Sequence, residues 1–163
     1  LTRKGISEHD QHRVTALLRY TASLENAGDV VCKTMIGIPE AMKKDGKQFS
    51  EEGKLELARL FRFLIGNTQL AAEVIMAWHP DTAGVLVQRK RAMKAMCHDS
   101  SRQHIVRLSQ GISDAMGSSS AHLDLISDLR WMSTQISSIG YDVLPESESS
   151  GNDAEEKLIA HPE

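Results

Sequence analysis

Hydrophobic residues recur every three or four positions through most of the chain, which is the spacing of amphipathic helices. A first helix is predicted from about Ser7, whose side chain can cap it with Asp10 three residues on, to about Ile36. Its apolar stripe is formed by Val14, Leu17, Leu24, Val31 and Met35. The stretch that follows, IGIPEAMKKDGKQF, is expected to break the helix.

A second helix is predicted to open at Ser50 and to reach Trp78. It is apolar on nearly all sides, at Leu57, Phe61, Phe63, Leu64, Leu70, Ile75 and Trp78. Such a helix is expected to touch several neighbours. The HPDT sequence at 79–82 predicts a stop and a restart of the helical pattern.

A third helix carries Val85, Leu86, Met93 and Met96, and runs to about Ile112. The HDSS sequence at 98–101 offers a fresh cap, so a kink or split is predicted there. A fourth helix follows GSSS at 117–120, with a stripe of Leu125, Ile126, Leu129, Met132, Ile136, Ile139 and Val143. Short links favour antiparallel neighbours, so residues 1–144 are predicted to form an all-α, elongated, antiparallel bundle of four long helices.

Composition indicates the class of protein, the use of its cysteines and the character of the chain ends. The 163 residues are 40% hydrophobic and 25% charged, which suits one ordinary soluble domain. Cys32 and Cys97 are too few for a disulfide framework or a thiolate zinc site. No run of about 18 apolar residues is present, so neither a membrane span nor a signal peptide is predicted. The chain begins at Leu1 rather than Met, which suggests a piece of a longer protein, and residues 145–163 are expected to form an acidic, disordered tail.

Two pairs of acids lie beside apolar stripes. Glu25 and Asp29 are four residues apart on the first helix, and Asp124 and Asp128 repeat that spacing on the fourth. Like charges at this spacing repel by a few tenths of a kcal/mol, so a cation is one candidate for what compensates them. Carboxylates one turn apart can converge on one metal ion, although acid pairs are also common on solvated helix faces. Trp131 and Gln135 continue the line of the second pair and form a candidate partner surface, because an exposed Trp beside two aspartates is unusual.

Three stretches together resemble a known family. They are SLENAGD at 23–29, FSEEG at 49–53 and SSSAHLDLISDLRWMSTQISSIGY at 118–141. In their order and spacing they resemble PhoU-like helical domains, and most closely the cytoplasmic C-terminal domain of bacterial sodium/phosphate cotransporter-like proteins. The resemblance implies a non-catalytic regulatory or accessory module at the inner face of the membrane. It also implies, as partner in cis, the transmembrane sodium/phosphate transport domain.

The resemblance further implies metal sites, because PhoU proteins hold iron, zinc or similar divalent ions on such acid pairs. Glu25, Asp29, Asp124 and Asp128 would be the ligands, converging with one another or with the acids of a second copy in a homodimer, and His122 would be a nitrogen donor. This chain departs from the family signature at Ser23, usually Asp, and at Asn26, usually Arg. These losses favour a reading in which the acids are remnants that face solvent or pair with a nearby base.

The remaining motifs favour binding over catalysis. No nucleophile with an adjacent base, glycine-rich phosphate loop or HExxH sequence is present, so no enzyme is predicted. The basic stretch at 88–94, with Arg89, Lys90 and Arg91, lacks the interleaved aromatic residues of a nucleic-acid site. It is interpreted as a solvated face, or as a surface for the transport domain or anionic lipid if the chain belongs to a cotransporter.

Histidines leave one alternative class open. His12, His104 and His122 all lie on predicted helices, which makes a histidine phosphotransfer module a rival to the regulatory reading, beside a metal-binding carboxylate bundle that acts as a sensor or metalloenzyme. Phosphotransfer sites require an exposed His with a neighbouring Lys and a Gly that clears space, and these three lack them. His104 and Cys97, seven residues apart on the apolar side of the third helix, offer too few donors for zinc and are expected to form a packed or hydrogen-bonded core pair.

Overall fold

The structure, a computed structural model, describes residues 7–110 and 117–145. Every regular secondary-structure element in these two ranges is a helix. The elements are α1 (Glu8–Val30), a π-helical turn (Val31–Met35), α2 (Gly37–Lys44), α3 (Glu51–Ala77), α4 (Pro80–Ser109) and α5 (Ser119–Val143). The predicted all-α fold is confirmed. The tail after Pro145 and the predicted helix end near Ile112 lie outside the described residues.

Side-chain contacts fix the directions of the four long helices. On α1, His12 contacts the carbonyl of Asp142 and Tyr20 donates a hydrogen bond to the carbonyl of Ile136, so α1 and α5 run in opposite directions. Arg89 and Arg107 on α4 donate to Asn67 and Glu56 on α3, respectively. Lys90 and His104 on α4 likewise contact Tyr141 and Ser119 on α5, so each pair of helices is antiparallel. The helices therefore alternate in direction as an up-and-down bundle. Among the described helices, none has an apolar stretch long enough to cross a membrane.

The core is organised around α5, which packs against α1, α3 and α4. All seven residues of its predicted stripe are buried, which confirms the helical phase. Gly140 lets α4 approach closely, because a Cβ at this position would lie 3.0 Å from Cγ2 of Val87 and 3.2 Å from the carbonyl oxygen of Ala83. Leu129 and Ile139 have no exposed surface.

The predicted apolar stripe of the first helix is only partly confirmed, because Met35 is buried and Val31 packs against the core but two other members are exposed. Val14 is 54% exposed and Leu24 is 42% exposed, whereas Ala16, Tyr20 and Ala27 are buried. Small alanines allow α1 to approach the core, and the Tyr20 hydroxyl satisfies its hydrogen-bonding capacity on the Ile136 carbonyl, 3.0 Å away. Burial raises the pKa of Tyr20 to about 12.

The predicted break within IGIPEAMKKDGKQF is present but comes later than Ile36, because the backbone stays helical through the π turn into α2 and the helix ends at Lys44. The amide of Ile36 donates to the carbonyl of Val31, five residues back, instead of four. Pro39 lies just downstream, where it lacks the N–H that a regular helix would donate to Met35. A wide turn at this point is one way for a helix to tolerate a nearby proline.

The predicted split at 98–101 is wrong, since α4 runs from Pro80 to Ser109 without interruption. The carboxylate of Asp99 accepts hydrogen bonds from two side chains of its own helix, those of Arg102 at 3.0 Å and Gln103 at 2.8 Å. Ser100 is fully buried in the bundle. The Asp-Ser-Ser cluster therefore does not cap a new helix. The predicted caps at Ser7 and Ser50 are confirmed, because both side chains accept the amide hydrogen bond expected three residues on.

Candidate functional site

The two acids of α1 face solvent. Glu25 and Asp29 are both exposed, and Asp29 accepts a hydrogen bond from Nζ of Lys33 at 2.5 Å, one turn further along the helix. This hydrogen bond and the charge of Asp29 raise the pKa of Lys33. In the first acid pair, Asp29 is therefore paired with Lys33 rather than with a second acid. This is the arrangement expected if the acids no longer bind a metal.

The two acids of α5 differ from each other. Asp124 is exposed and accepts a hydrogen bond from the hydroxyl of Ser120 at 3.3 Å. Asp128 is half-buried, and its Oδ2 is enclosed without a hydrogen-bond partner. Burial, and then the neighbouring charge of Asp124, raise the pKa of the Asp128 carboxyl. The side chain of Asp128 is the one among the four acids that would gain most from a cation.

The acid pairs lie in the same part of the bundle but do not form a donor set within one chain. The antiparallel contact of Tyr20 with Ile136 brings Asp29 level with the turn of α5 that carries Asp128. Even so, nowhere in residues 7–110 and 117–145 do three His, Cys, Asp or Glu side chains lie where they could hold one metal ion. A metal here would need water or a second copy of the chain to complete its coordination.

The predicted partner surface is split by the structure. Trp131 is 40% exposed on α5, and Arg91 is exposed on α4. Arg89 instead turns toward the bundle, where its Nε donates to Oδ1 of the fully buried Asn67 at 2.7 Å. Lys90 donates to the hydroxyl of Tyr141 at 3.2 Å, and Gln135 is half-buried. Trp131 and Arg91 are thus the members best placed to meet a partner.

A buried polar group at one end of the bundle joins three helices. It consists of Glu56 on α3, His104 and Arg107 on α4, and Ser119 and His122 on α5, and is called the end cluster below. Arg107 donates to both oxygens of Glu56, at 2.7 and 2.8 Å, in a two-pronged ion pair. The side chains of Glu56 and Arg107 are only 10% and 14% exposed, so water screens this pair little.

The two histidines of the end cluster stack on each other. Their ring centroids are 4.5 Å apart, and a 2.9 Å hydrogen bond joins Nε2 of His104 to the Ser119 hydroxyl. Nε2 of His122 lies 3.3 Å from Oε2 of Glu56, but without good hydrogen-bond geometry. Burial lowers the pKa of His104, with a further contribution from the charge of Arg107. Burial and the adjacent His104 lower the pKa of His122.

The start of α3 is shaped to receive the His122 ring. Ser50 caps the helix, and a Cβ at Gly53 would lie only 3.3 Å from Nδ1 and Cε1 of that ring. The ring of Phe49 meets His122 edge-on, with centroids 6.0 Å apart. The FSEEG sequence therefore provides an aromatic contact, a helix cap and a clearance beside the histidine.

The predicted burial of His104 and Cys97 is confirmed, but the two do not act as a pair. His104 is 2% exposed and bonds to Ser119, while Cys97 is 1% exposed, and burial raises the pKa of its thiol to about 11. A thiol with a raised pKa is a poor nucleophile and a poor metal ligand at neutral pH. Cys97 is therefore a packing residue.

The end cluster should make stability depend on pH. The unfolded histidines take up protons as the pH falls through about 6.5, whereas their folded pKa values are lower, so stability present above about pH 6.5 is lost as the pH falls further. Glu56, Arg107 and, through Arg107, Glu52 are the charged groups that contribute to this environment. Denaturant unfolding between pH 7.5 and 5.5 should show this loss.

A matched pair of variants isolates the effect. His122→Asn should flatten the pH dependence, whereas His98→Gln, at an exposed position of α4, should leave it unchanged. Equal slopes in the two variants would show that the buried histidines do not control the acid response.

Comparison with known proteins gives matches over most of this chain. "Putative inorganic phosphate export protein YjbB" of Salmonella typhimurium (strain LT2) is 27% identical over 139 residues, covering 85% of this chain and 26% of that protein. The protein of the same name from Escherichia coli (strain K12) is 26% identical over 154 residues, covering 94% of this chain and 28% of that protein. The chain thus spans about a quarter of the length of these curated relatives. No protein-family model and no solved structure matches it.

Proposed function

We propose that this chain is a PhoU-like regulatory module, non-catalytic and cytoplasmic, that serves sodium-dependent phosphate transport. The observation that carries the proposal is the match to proteins named for inorganic phosphate export, which extends over 85–94% of this chain and about a quarter of theirs. A helical bundle aligned with one part of a longer transport-related protein fits an accessory domain that acts on a transport domain in cis.

The end cluster and the buried network around Asn67 support a role in binding over one in catalysis. Glu56 with Arg107, and Arg89 with Asn67, use their charged and polar groups to join helices. Burial of His104 and His122, at 2% and 1% exposed, keeps both rings from a phosphoryl donor. Nε2 of the exposed His12 contacts the carbonyl of Asp142 at 2.8 Å. These contacts argue against phosphotransfer.

The test is phosphate flux in cells that make the full-length protein carrying this chain. Release and uptake of labelled phosphate are compared between that protein and a version lacking residues 1–145, at matched amounts in the membrane. Deletion is expected to change the rate of phosphate release or uptake. The phosphate concentration inside the cells should change as a result. Equal flux with and without the region would contradict the regulatory role.

A surface substitution gives a finer version of the same test. Trp131→Ala removes an aromatic side chain that is 40% exposed and should reproduce part of the deletion effect without unfolding the bundle. Arg130→Ala, at the adjacent exposed position, is the matched control and should leave the flux unchanged.

Metal binding at the acid pairs is the second candidate, favoured by the enclosed and unpartnered Oδ2 of Asp128. Against a resident ion stand the Lys33 partner of Asp29 and the lack of a three-donor set in the described part of the chain. Calorimetric titration of iron, zinc, manganese or nickel into chelator-treated protein is expected to show weak binding. Binding should be equally weak in Glu25→Gln with Asp29→Asn, and in Asp124→Asn with Asp128→Asn. Stoichiometric micromolar binding that either double variant abolishes would instead establish a metal-dependent module.

A further inference from the structure

An open cleft lies beside the end cluster, between α2 and the start of α3. The cleft has a volume of about 360 Å³ and is largely open to solvent. Ligand sites in proteins occupy about 300 to 1,000 Å³, so this one suits a small molecule. The residues of interest in its lining are Pro39, Met42, Lys43, Lys47, Phe49 and Lys54.

Three lysines give the cleft a positive rim, and no acid is among its lining residues. Lys47 lies 3.5 Å from Asp45 and Lys54 lies 2.6 Å from Glu51, both in solvent-exposed ion pairs. Ion pairs this exposed contribute little to stability, so an incoming anion can displace them at little cost. Ammonium groups on flexible stems are common phosphate binders, acting as point charges.

The inner wall of the cleft is apolar. Met42 is 7% exposed, and Phe49 packs partly against the core while remaining accessible from the cleft. Pro39 adds a rigid apolar surface. An aromatic ring and a thioether beside a cationic rim can receive a flat ring system whose phosphate faces the lysines.

We propose that this cleft binds a small organic phosphate of the nucleotide class. The phosphate groups contact Lys43, Lys47 and Lys54, and the base packs against Phe49 and Met42. Because Phe49 also contacts His122, an occupied cleft touches the end cluster through one side chain. The proposal concerns binding alone and stands whether or not the chain regulates transport.

The test uses ADP, pyrophosphate, adenosine and vesicles containing phosphatidic acid, with calorimetry and NMR on the whole chain. ADP is expected to bind in the micromolar to millimolar range, at least about tenfold more tightly than adenosine or pyrophosphate, and to shift the NMR signals of Phe49 and His122. Vesicle binding without ADP binding would overturn the proposal in favour of a lipid headgroup. The proposal is also overturned if ADP does not bind, or if ADP binds without shifting the NMR signals of Phe49 and His122.

Substitutions separate the two halves of the ligand. The triple variant Lys43→Gln, Lys47→Gln, Lys54→Gln should weaken the binding of both ADP and pyrophosphate by about tenfold or more, since three charged contacts are lost together. Phe49→Leu should weaken ADP and leave pyrophosphate unchanged. Lys44→Gln, an exposed neighbour that does not line the cleft, is the matched control. ADP affinity that is equal in the triple variant and in Lys44→Gln would refute the site.

Discussion

Arg107→Met is expected to lower the free energy of unfolding by about 3 to 5 kcal/mol at neutral pH. The substitution keeps an unbranched side chain of similar length but leaves the carboxylate of Glu56 buried, at 10% exposure, without its two-pronged partner. An uncompensated buried charge costs more than the ion pair itself contributes, because water no longer solvates it. Urea unfolding followed by circular dichroism measures the loss.

Two comparisons show whether burial is the cause. Glu56→Gln combined with Arg107→Met removes both charges and should recover much of the lost stability. Arg102→Met removes one partner of the exposed pair with Asp99, 3.0 Å away, and should cost no more than about 1 kcal/mol. Similar losses in Arg107→Met and Arg102→Met would mean that the end cluster is solvated in solution.

Leu129→Ala is expected to cost about 2 to 5 kcal/mol, since it removes a side chain with no exposed surface from the middle of the α5 stripe. The lost stability has two sources, the hydrophobic burial of the removed carbons and the contacts missing around the cavity that they leave. The exposed neighbour provides the control, because Arg130→Ala should change stability by less than about 0.5 kcal/mol. Equal shifts of the two denaturation midpoints would place α5 in a different rotation about its axis.

The sequence was most informative where large apolar residues alone define the buried face. On α5 every residue of the predicted stripe is buried, because Leu, Ile, Met and Val there have no competing polar role. On the first predicted helix the same reasoning selected Met35, which is buried, but also Val14 and Leu24, which are exposed. The buried face of α1 is built from Ala16, Tyr20 and Ala27, whose small size or hydroxyl gives them little weight in a hydrophobic pattern.

The end cluster was only partly predictable. His104 was expected in the core and is there, but Glu56 and Arg107 were not singled out, because charged residues on helices are usually solvated. One signal was available: Glu56 directly precedes Leu57 on a helix that is predicted to be apolar on nearly all sides. Its partner is 51 residues away along the chain, and that pairing depends on the register of α3 against α4.

The π turn determines the direction around the helix axis in which the side chains of α2 point. It places one more residue in a turn than an α-helix does, and each residue corresponds to about 100° of rotation. Without that surplus residue, the helix would present a different side of α2 to the bundle, and Met42 would turn away from the core. Lys43 would turn with it, away from Phe49 and Lys54. A single-residue change in the length of segment 31–35 would therefore rearrange the cleft while leaving each of its side chains intact.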